Sequence, residues 1–316
     1  MDKQVRGRFA PSPSGRMHLG NVCCALLAYL AARSAGGEFV LRMEDLDTAR
    51  CRPPYGAWML DDLAWLGLTW DEGPDRGGPY GPYTQSQCGG LYDEAIQRLS
   101  ERGLTYPCFC SRAGLLAAQA PHAGEGEIPY DGRCSRMSQE EIRRLAERKR
   151  PSLRLRVEPE PVAFIDGLQG PQRSALPSTC GDFVVRRADG LAAYQLAVVV
   201  DDGRMGVTQV VRGRDLLAST ARQLYLYRLL GYEPPAFFHI PLLVAPDGRR
   251  LSKRERDLDM GALRARFQRP EPLLGRLACL CGLIERPEPM GMEALIGLFR
   301  WDRIPQGDIV VNPERF

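Results

Sequence analysis

The feature that most restricts the fold is a strand, a loop and a helix within the first 34 residues. Residues 5–9 have the pattern of a short β-strand, "APSPSGRMHLGN" contains loop-forming Pro, Ser and Gly, and residues 22–34 form an apolar run suited to a helix. Glycines let a backbone approach a ligand closely, and the unpaired N–H groups at a helix start attract anions. This arrangement predicts a phosphate site with His18 as a donor, although a histidine that only supports the turn has the same pattern.

The alternation of strands and helices continues along the chain. "GEFVLRMED" (37–45) predicts a second strand, and "PYGAWMLDDLAWLGL" (54–68) carries apolar residues at helical spacing. Further on, the apolar run "LAAYQLAVVVDD" (191–202) predicts a buried strand, and "STARQLYLYRLLG" (219–231) predicts a helix with a Ser/Thr start and a Gly stop. This order predicts an α/β fold with a doubly wound, Rossmann-like parallel sheet.

An interruption divides the chain into segments. Between about residues 106 and 186 the sequence is rich in Cys, Pro, Gly and Arg and shows no strand–helix alternation. We therefore predict a sheet that is split by an insertion and followed by a short helical region. The predicted segments are 1–105 for the first half of a nucleotide-binding domain, 106–186 for the insertion, 187–257 for the second half and 258–316 for the C-terminal helical region.

Composition bears on the compartment. The longest apolar stretches, 23–32 and 191–200, fall well short of the roughly 20 residues that span a bilayer, and no cleavable leader precedes them. The 10 cysteines are scattered along 316 residues, unlike those of a short disulfide-rich protein. We therefore expect a cytoplasmic protein with free thiols and no membrane partner. A net charge of +3 permits a nucleic-acid partner without requiring one, and no pattern predicts the oligomeric state.

A second motif lies in the basic stretch "GRRLSKRERD" (248–257), which contains Ser252 and Lys253. Runs of charge commonly form a solvated surface. A lysine and a histidine on opposite sides of a triphosphate, however, would stabilise the charge that accumulates during nucleotidyl transfer, a reaction that needs little covalent help. Together with His18, this stretch favours an enzyme that transfers a nucleotidyl group.

These two motifs resemble the signatures of class I aminoacyl-tRNA synthetases of the glutamyl type. "HLGN" (18–21) is similar to the first signature, except that Asn21 stands where the family commonly has a histidine, and "RLSKR" (250–254) is similar to the second. The resemblance implies that ATP, with Mg²⁺, is a substrate and that His18 and Lys253 are catalytic. The implied ATP-binding residues are His18, Gly20, Asn21, Ser252 and Lys253.

The stretches "GRFAPSPSG", "RMEDLD", "GPYTQSQ" and "VVRGRDLLASTARQLYLYRLLG" also resemble the glutamyl branch, so the resemblance covers nearly the whole chain. Glutamate presents two carboxylates and an ammonium, and the planar fork of arginine pairs with carboxylates through two hydrogen bonds. The resemblance implies Arg8 and Arg212 for the carboxylates and Glu44 for the ammonium, whereas residue type alone would make Arg212 a surface ion-pair partner. The implied glutamate-binding residues are Arg8, Phe9, Ala10, Pro11, Ser12, Glu44, Tyr194 and Arg212.

The number of residues after the second motif indicates which subgroup of the glutamyl family the chain resembles. About 60 residues follow it, whereas ordinary glutamyl-tRNA synthetases continue into an anticodon-binding region of about one domain. We therefore expect no anticodon-binding domain, and the chain resembles a truncated branch that activates glutamate with ATP and esterifies it to queuosine in the anticodon of tRNA(Asp). Three other functions share parts of the pattern: ordinary charging of a tRNA 3′ end, small-molecule adenylyl transfer, and non-catalytic tRNA binding by a zinc protein.

The insertion contains a candidate metal site. Cys108 and Cys110 form a C-x-C pair, and "YDGRC" supplies Tyr130 and Cys134. A C-x-C pair alone is a weaker zinc signal than two C-x₂-C pairs. The resemblance implies a structural Zn²⁺ held by the three thiolates, with Tyr130 as the fourth ligand. The gap between the two stretches is longer than in the family and contains His122, so His122 or water competes with Tyr130 for the fourth position.

Overall fold

The computed structural model describes residues 4–110, 129–249, 251 and 258–312. Three residues to which the sequence analysis gave a role lie outside the described residues: His122, a candidate zinc ligand, and Ser252 and Lys253, candidate ATP-binding residues. The strands are β1 (Arg6–Phe9), β2 (Glu38–Leu41), β3 (Thr105–Cys108), β4 (Ser152–Leu155), β5 (Val162–Asp166), β6 (Gly170–Ser174), β7 (Phe183–Arg186), β8 (Gln209–Gly213), β9 (Ala236–Ile240), β10 (Leu243–Val244) and β11 (Ile309–Val310). The α-helices are α1 (Leu19–Ser34), α2 (Pro53–Trp65), α3 (Gly89–Glu101), α4 (Gln139–Ala146), α5 (Leu176–Thr179), α6 (Tyr194–Arg204), α7 (Leu217–Leu230), α8 (Met260–Phe267), α9 (Pro270–Leu280) and α10 (Met292–Leu298).

Four parallel strands form the central sheet in the order β2–β1–β8–β9. Side chains of β2 alternate between two hydrophobic cores: Phe39 and Leu41 pack in the core that contains α1, and Val40 packs in the core that contains α3, α6 and α7. Helices therefore cover both faces of the sheet, because successive residues of a strand point to opposite sides. The predicted α/β fold with a parallel sheet is confirmed.

Helix α1 packs closely on the sheet. A Cβ atom built at Gly7 of β1 would lie 2.9 Å from the Cβ atom of Ala32, so a glycine at this position allows the helix and the strand to approach each other. The opposite side of α1 contacts α10, which explains why the helix is apolar nearly all round. This packing holds the start of α1 at the carboxyl end of β1.

The predicted strand at 191–202 is wrong, since most of it forms helix α6. Every residue from Gln195 to Asp202 is buried, because α6 packs against α3, α7 and β7. A helix covered on all sides is apolar all round and loses the 3.6-residue period that separates helix from strand. The second predicted strand (37–45) is also shorter than expected and ends at Leu41.

The strands of the segment predicted as an insertion form antiparallel sheets that are separate from the central parallel sheet. Strands β3, β4 and β7 form a three-stranded antiparallel sheet, and β5 and β6 form a hairpin. Beyond it, α8, α9 and α10 pack into the same core as α1, and β11 pairs in parallel with β10. Within the described residues, no helix is long and apolar enough to cross a membrane. All ten cysteines lie in the described part of the chain, and none of them forms a disulfide there.

Candidate active site

The start of α1 is built by a reciprocal cap. His18 is the N-cap residue, its Nδ1 accepts a hydrogen bond from the backbone N–H of Gly20 at 3.1 Å, and the Oδ1 of Asn21 accepts from the backbone N–H of His18 at 3.2 Å. The helix therefore begins at Leu19, before the predicted start at residue 22. Because Nδ1 accepts, the proton of the neutral imidazole sits on Nε2, which is the nitrogen able to donate to a ligand.

A cavity of about 240 Å³ lies at the carboxyl ends of β1, β8 and β9, beside the start of α1. Ligands of doubly wound sheets bind at this position, where the direction of strand order reverses. Every described residue that the sequence analysis assigned to glutamate or ATP lines this cavity: Arg8, Phe9, Ala10, Pro11, Ser12, His18, Gly20, Asn21, Glu44, Tyr194 and Arg212. The structure thus brings together residues that are up to 204 positions apart in the chain (212 − 8).

Arg8 and Glu44 belong to a buried network of charges below the cavity. Arg42 is fully buried and donates to Asp202 at 2.7 Å and to Glu44 at 3.0 Å, while the Nε of Arg8 lies 3.5 Å from the same oxygen of Asp202. Burial raises the pKa of Glu44, although the charges of Arg42 and Arg8 oppose this shift. The network holds Arg8 and Glu44 at the cavity wall with most of their flexibility removed.

Arg212 lies on β8, the strand next to β1, where it is buried and held by neutral groups. Its Nε donates to the Nε2 of His239 at 2.9 Å, one terminal nitrogen donates to the Oε1 of Gln223 at 2.8 Å, and the other donates to the Oγ1 of Thr220 at 2.9 Å. No ion pair among the described residues involves Arg212, and burial lowers the pKa of this guanidinium. An unneutralised buried guanidinium at a cavity wall is suited to an anionic ligand.

The sequence analysis missed the groups that support these arginines. Arg42, Asp202, His239 and Asp166 are all less than 2% exposed and none was assigned a role. A signal was present in each case, because each ionisable side chain lies within or beside an apolar run, as in "FVLR", "AVVVDD" and "AFFHI". Charged groups in such runs are buried and must be paired, but the sequence does not show with which residue.

The three predicted cysteine ligands lie together at the end of β3. The Sγ atoms of Cys108, Cys110 and Cys134 all lie within 4.8 Å of one another, and Cys110 and Cys134 are 3.7 Å apart. The phenol oxygen of Tyr130 lies 3.6 Å from the Sγ atoms of both Cys108 and Cys110. Zn–S bonds of about 2.3 Å in a tetrahedral site place sulfurs about 3.8 Å apart, so the cluster fits a zinc ion.

Comparison with known proteins identifies the class. The chain matches the family described as tRNA synthetases class I (E and Q), catalytic domain, over residues 4–290. It belongs to this family and is an enzyme, a class I aminoacyl-tRNA synthetase of the ligase type.

Two relatives and one solved structure show which members of this family the chain resembles. The chain is 54% identical over 98% of its length to a protein of Symbiobacterium thermophilum named Glutamyl-Q tRNA(Asp) synthetase, of which it covers 96%. It is 49% identical over 97% of its length to a protein of the same name from Nitratidesulfovibrio vulgaris, of which it covers 95%. The crystal structure of a glutamate tRNA ligase from Elizabethkingia meningosepticum in complex with its amino acid superposes with a TM-score of 0.85 at 29% identity, covering 99% of this chain and 68% of that chain.

Proposed function

We propose that this enzyme activates glutamate with ATP and transfers it to queuosine in the anticodon of tRNA(Asp). The observation that carries the proposal is the buried Arg212, which shares one cavity with Arg8 and Glu44. Two guanidinium groups and one carboxylate complement the two carboxylates and one ammonium of glutamate. The names of the two relatives at 54% and 49% identity support the choice of acceptor.

Glutamate is proposed to bind in the cavity among these three side chains. Arg8 and Arg212 each bind one carboxylate of glutamate, and Glu44 binds its ammonium. Tyr194 and residues 9–12 enclose the methylene groups of glutamate. An ammonium beside Glu44 would favour the ionised carboxylate and so oppose the effect of burial on its pKa. Glutamine would bind poorly, because its side-chain amide nitrogen is a donor and would face the donors of a buried guanidinium.

ATP is proposed to bind at the start of α1, beside the glutamate site. The Nε2 of His18 and the side-chain NH₂ of Asn21 are proposed to donate to phosphates beside the cap at Gly20, together with Ser252 and Lys253, which lie outside the described residues. An α-carboxylate oxygen of glutamate attacks the α-phosphorus of ATP, and the bond to the leaving pyrophosphate breaks. The positive groups stabilise the charge that moves onto pyrophosphate.

The second step transfers the glutamyl group. A hydroxyl of the queuosine cyclopentenediol attacks the carbonyl carbon of glutamyl adenylate, loses its proton, and displaces AMP. The neighbouring hydroxyls of this ring resemble those of a terminal ribose, so the same cavity can accept either as nucleophile. We place this reaction in the cytoplasm.

A structural Zn²⁺ is proposed for the cysteine cluster. Cys108 and Cys134 are buried, and the spacing of the three Sγ atoms and the Tyr130 oxygen fits a tetrahedral ion. Tyr106, Cys108 and Cys134 form a small buried cluster among the described residues, and a metal held by the thiolates would stabilise it. The ion would stabilise the fold of the segment and would not contact glutamate.

The test is glutamate-dependent exchange of pyrophosphate into ATP, followed by charging of purified tRNA(Asp) with and without queuosine. The proposal expects exchange with glutamate but not with glutamine, and stable glutamyl-tRNA only when queuosine is present. Equal charging of the two tRNAs would instead support ordinary charging of the 3′ end. No exchange with glutamate would refute the proposed amino acid.

A further inference from the structure

Three buried side chains from separate strands form a row of hydrogen bonds that ends at the cavity. Asp166 is the last residue of β5, His239 lies in β9, and Arg212 lies in β8. The Oδ2 of Asp166 lies 2.5 Å from the Nδ1 of His239, and the Nε2 of His239 accepts from the Nε of Arg212 at 2.9 Å. Their exposed fractions are 1%, 0% and 4%, so water does not compete for these contacts.

The hydrogen bonds define the tautomer of His239. An arginine Nε–H can only donate, so the Nε2 of His239 must be unprotonated. The remaining proton therefore sits on Nδ1 and is donated to Asp166. Asp166 is itself held as a carboxylate, because its Oδ1 accepts from the backbone N–H groups of Leu168, Gln169 and His239 at 3.1, 2.9 and 3.2 Å. Burial lowers the pKa of His239 to about 4, which keeps the imidazole neutral near pH 7.

A neutral acceptor suits an arginine that must bind an anion. A carboxylate in direct contact with Arg212 would neutralise it and would compete with the carboxylate of a substrate. An imidazole holds the guanidinium plane without adding a charge at that contact. The carboxylate of Asp166 contacts His239 on the side away from Arg212. Gln223 and Thr220 hold the two terminal nitrogens in the same neutral way.

We propose that His239 and Asp166 are positioning residues that set the orientation of Arg212 for recognition of the substrate carboxylate. They act through Arg212 and do not contact glutamate, since neither lines the cavity. The proposal rests on the proposed function in one respect, namely that Arg212 binds glutamate.

Asp166→Asn is the informative variant. The three backbone donors hold the amide oxygen at the position of Oδ1, so the amide NH₂ faces the Nδ1 of His239. Nδ1 must then accept, the proton moves to Nε2, and an N–H group faces the Nε–H of Arg212. This conflict of two donors displaces the guanidinium without changing its charge.

A pair of variants at His239 separates the hydrogen bond to Asp166 from the hydrogen bond to Arg212. In His239→Gln the side-chain oxygen can replace Nε2 as the acceptor for Arg212, whereas in His239→Asn the amide nitrogen replaces Nδ1 as the donor to Asp166. We expect Asp166→Asn and His239→Asn to raise the KM for glutamate about 10- to 100-fold, as for loss of one hydrogen bond to a charged group. His239→Gln should raise it less, and the KM for ATP should change little in all three.

The matched control is Asp182→Asn, which makes the same substitution at a carboxylate of the 106–186 segment that accepts from Tyr106 and from the backbone of Val157. It should leave the KM for glutamate unchanged. A second readout does not use substrate: ¹⁵N spectra of histidine-labelled protein, in which the chain has 3 histidines and His239→Gln identifies the signal of His239. The parent should show a neutral ring protonated on Nδ1, and Asp166→Asn should show one protonated on Nε2.

The outcomes separate the two proposals. A shifted tautomer with a raised KM for glutamate supports the positioning role. Normal exchange in the parent with unchanged KM for glutamate in Asp166→Asn and His239→Asn, or a parent ring protonated on Nε2, refutes it and leaves the proposed function intact. A parent with no glutamate-dependent exchange refutes both.

Discussion

Replacement of Arg212 tests how the cavity recognises a carboxylate. Arg212→Lys keeps a positive charge but cannot present a planar fork, and Arg212→Ala removes both. Each hydrogen bond to a charged group contributes about 1.5–3 kcal/mol, so loss of a two-bonded carboxylate contact costs about 3–6 kcal/mol. A lysine that restores about half of this leaves a loss of about 1.5–3 kcal/mol, which is about a 10- to 150-fold increase in the KM for glutamate. Arg212→Ala should raise it further.

The assay is glutamate-dependent pyrophosphate exchange at 25 °C, with thermal unfolding of each variant measured to show that it is folded. The KM for ATP should change little, because Arg212 is proposed to bind glutamate and not ATP. Arg204→Lys is the matched control, since Arg204 donates to the backbone oxygens of Tyr80, Gly81 and Pro82 and does not line the cavity. An unchanged KM for glutamate in a folded Arg212→Ala would remove this residue from the binding site.

Three further predictions concern the nucleotide, the metal and pH. Lys253→Ala should lose about 2–4 kcal/mol of transition-state stabilisation with little effect on folding, and single-turnover adenylation within a few-fold of the parent would contradict this role. Protein purified without chelator should hold about one equivalent of zinc, and Cys134→Ser should lose both zinc and thermal stability, whereas metal-free parent protein would rule the site out. The pKa of His239 is near 6.5 in the unfolded chain and about 4 in the folded protein, so the unfolded chain takes up a proton first as the pH falls. The contribution of neutral His239 to the free energy of unfolding is therefore complete above pH 6.5, and this free energy should fall by about 3 kcal/mol as the pH drops to 4. Denaturant unfolding of His239→Asn should lack most of this loss, and identical pH profiles would argue against it.

The site was predictable where the chemistry is local. His18, Gly20 and Asn21 occupy one turn at a helix start, and the sequence showed the loop, His18 and the apolar helix together, although it started the helix at residue 22 and did not show the cap. Arg8 and Glu44 were assigned from the family resemblance of "GRFAPSPSG" and "RMEDLD", and the structure places both stretches at the carboxyl ends of neighbouring parallel strands. The Cys108–Cys110 pair alone was a weak zinc signal, and the family resemblance supplied Tyr130 and Cys134.

The parts that were missed depend on contacts between distant segments. Helix α6 was taken for a strand because neighbours cover it on every side, which no local window reveals. His239 and Asp166 are 73 positions apart, and their pairing depends on how the β5–β6 hairpin meets β9. A buried histidine in an apolar strand indicates that a partner exists, but only the folded chain shows which one.

The acceptor of the glutamyl group is the central claim, and one charging reaction tests it most directly. The substrate is queuosine-containing tRNA(Asp) from which the 3′ terminal adenosine has been removed, so that the ordinary acceptor hydroxyls are absent. The account predicts that labelled glutamate is esterified to this tRNA as well as to the intact one, and that the label is recovered in the anticodon fragment after nuclease digestion. Loss of charging on removal of the 3′ adenosine, with label at the 3′ end of the intact tRNA, would contradict it.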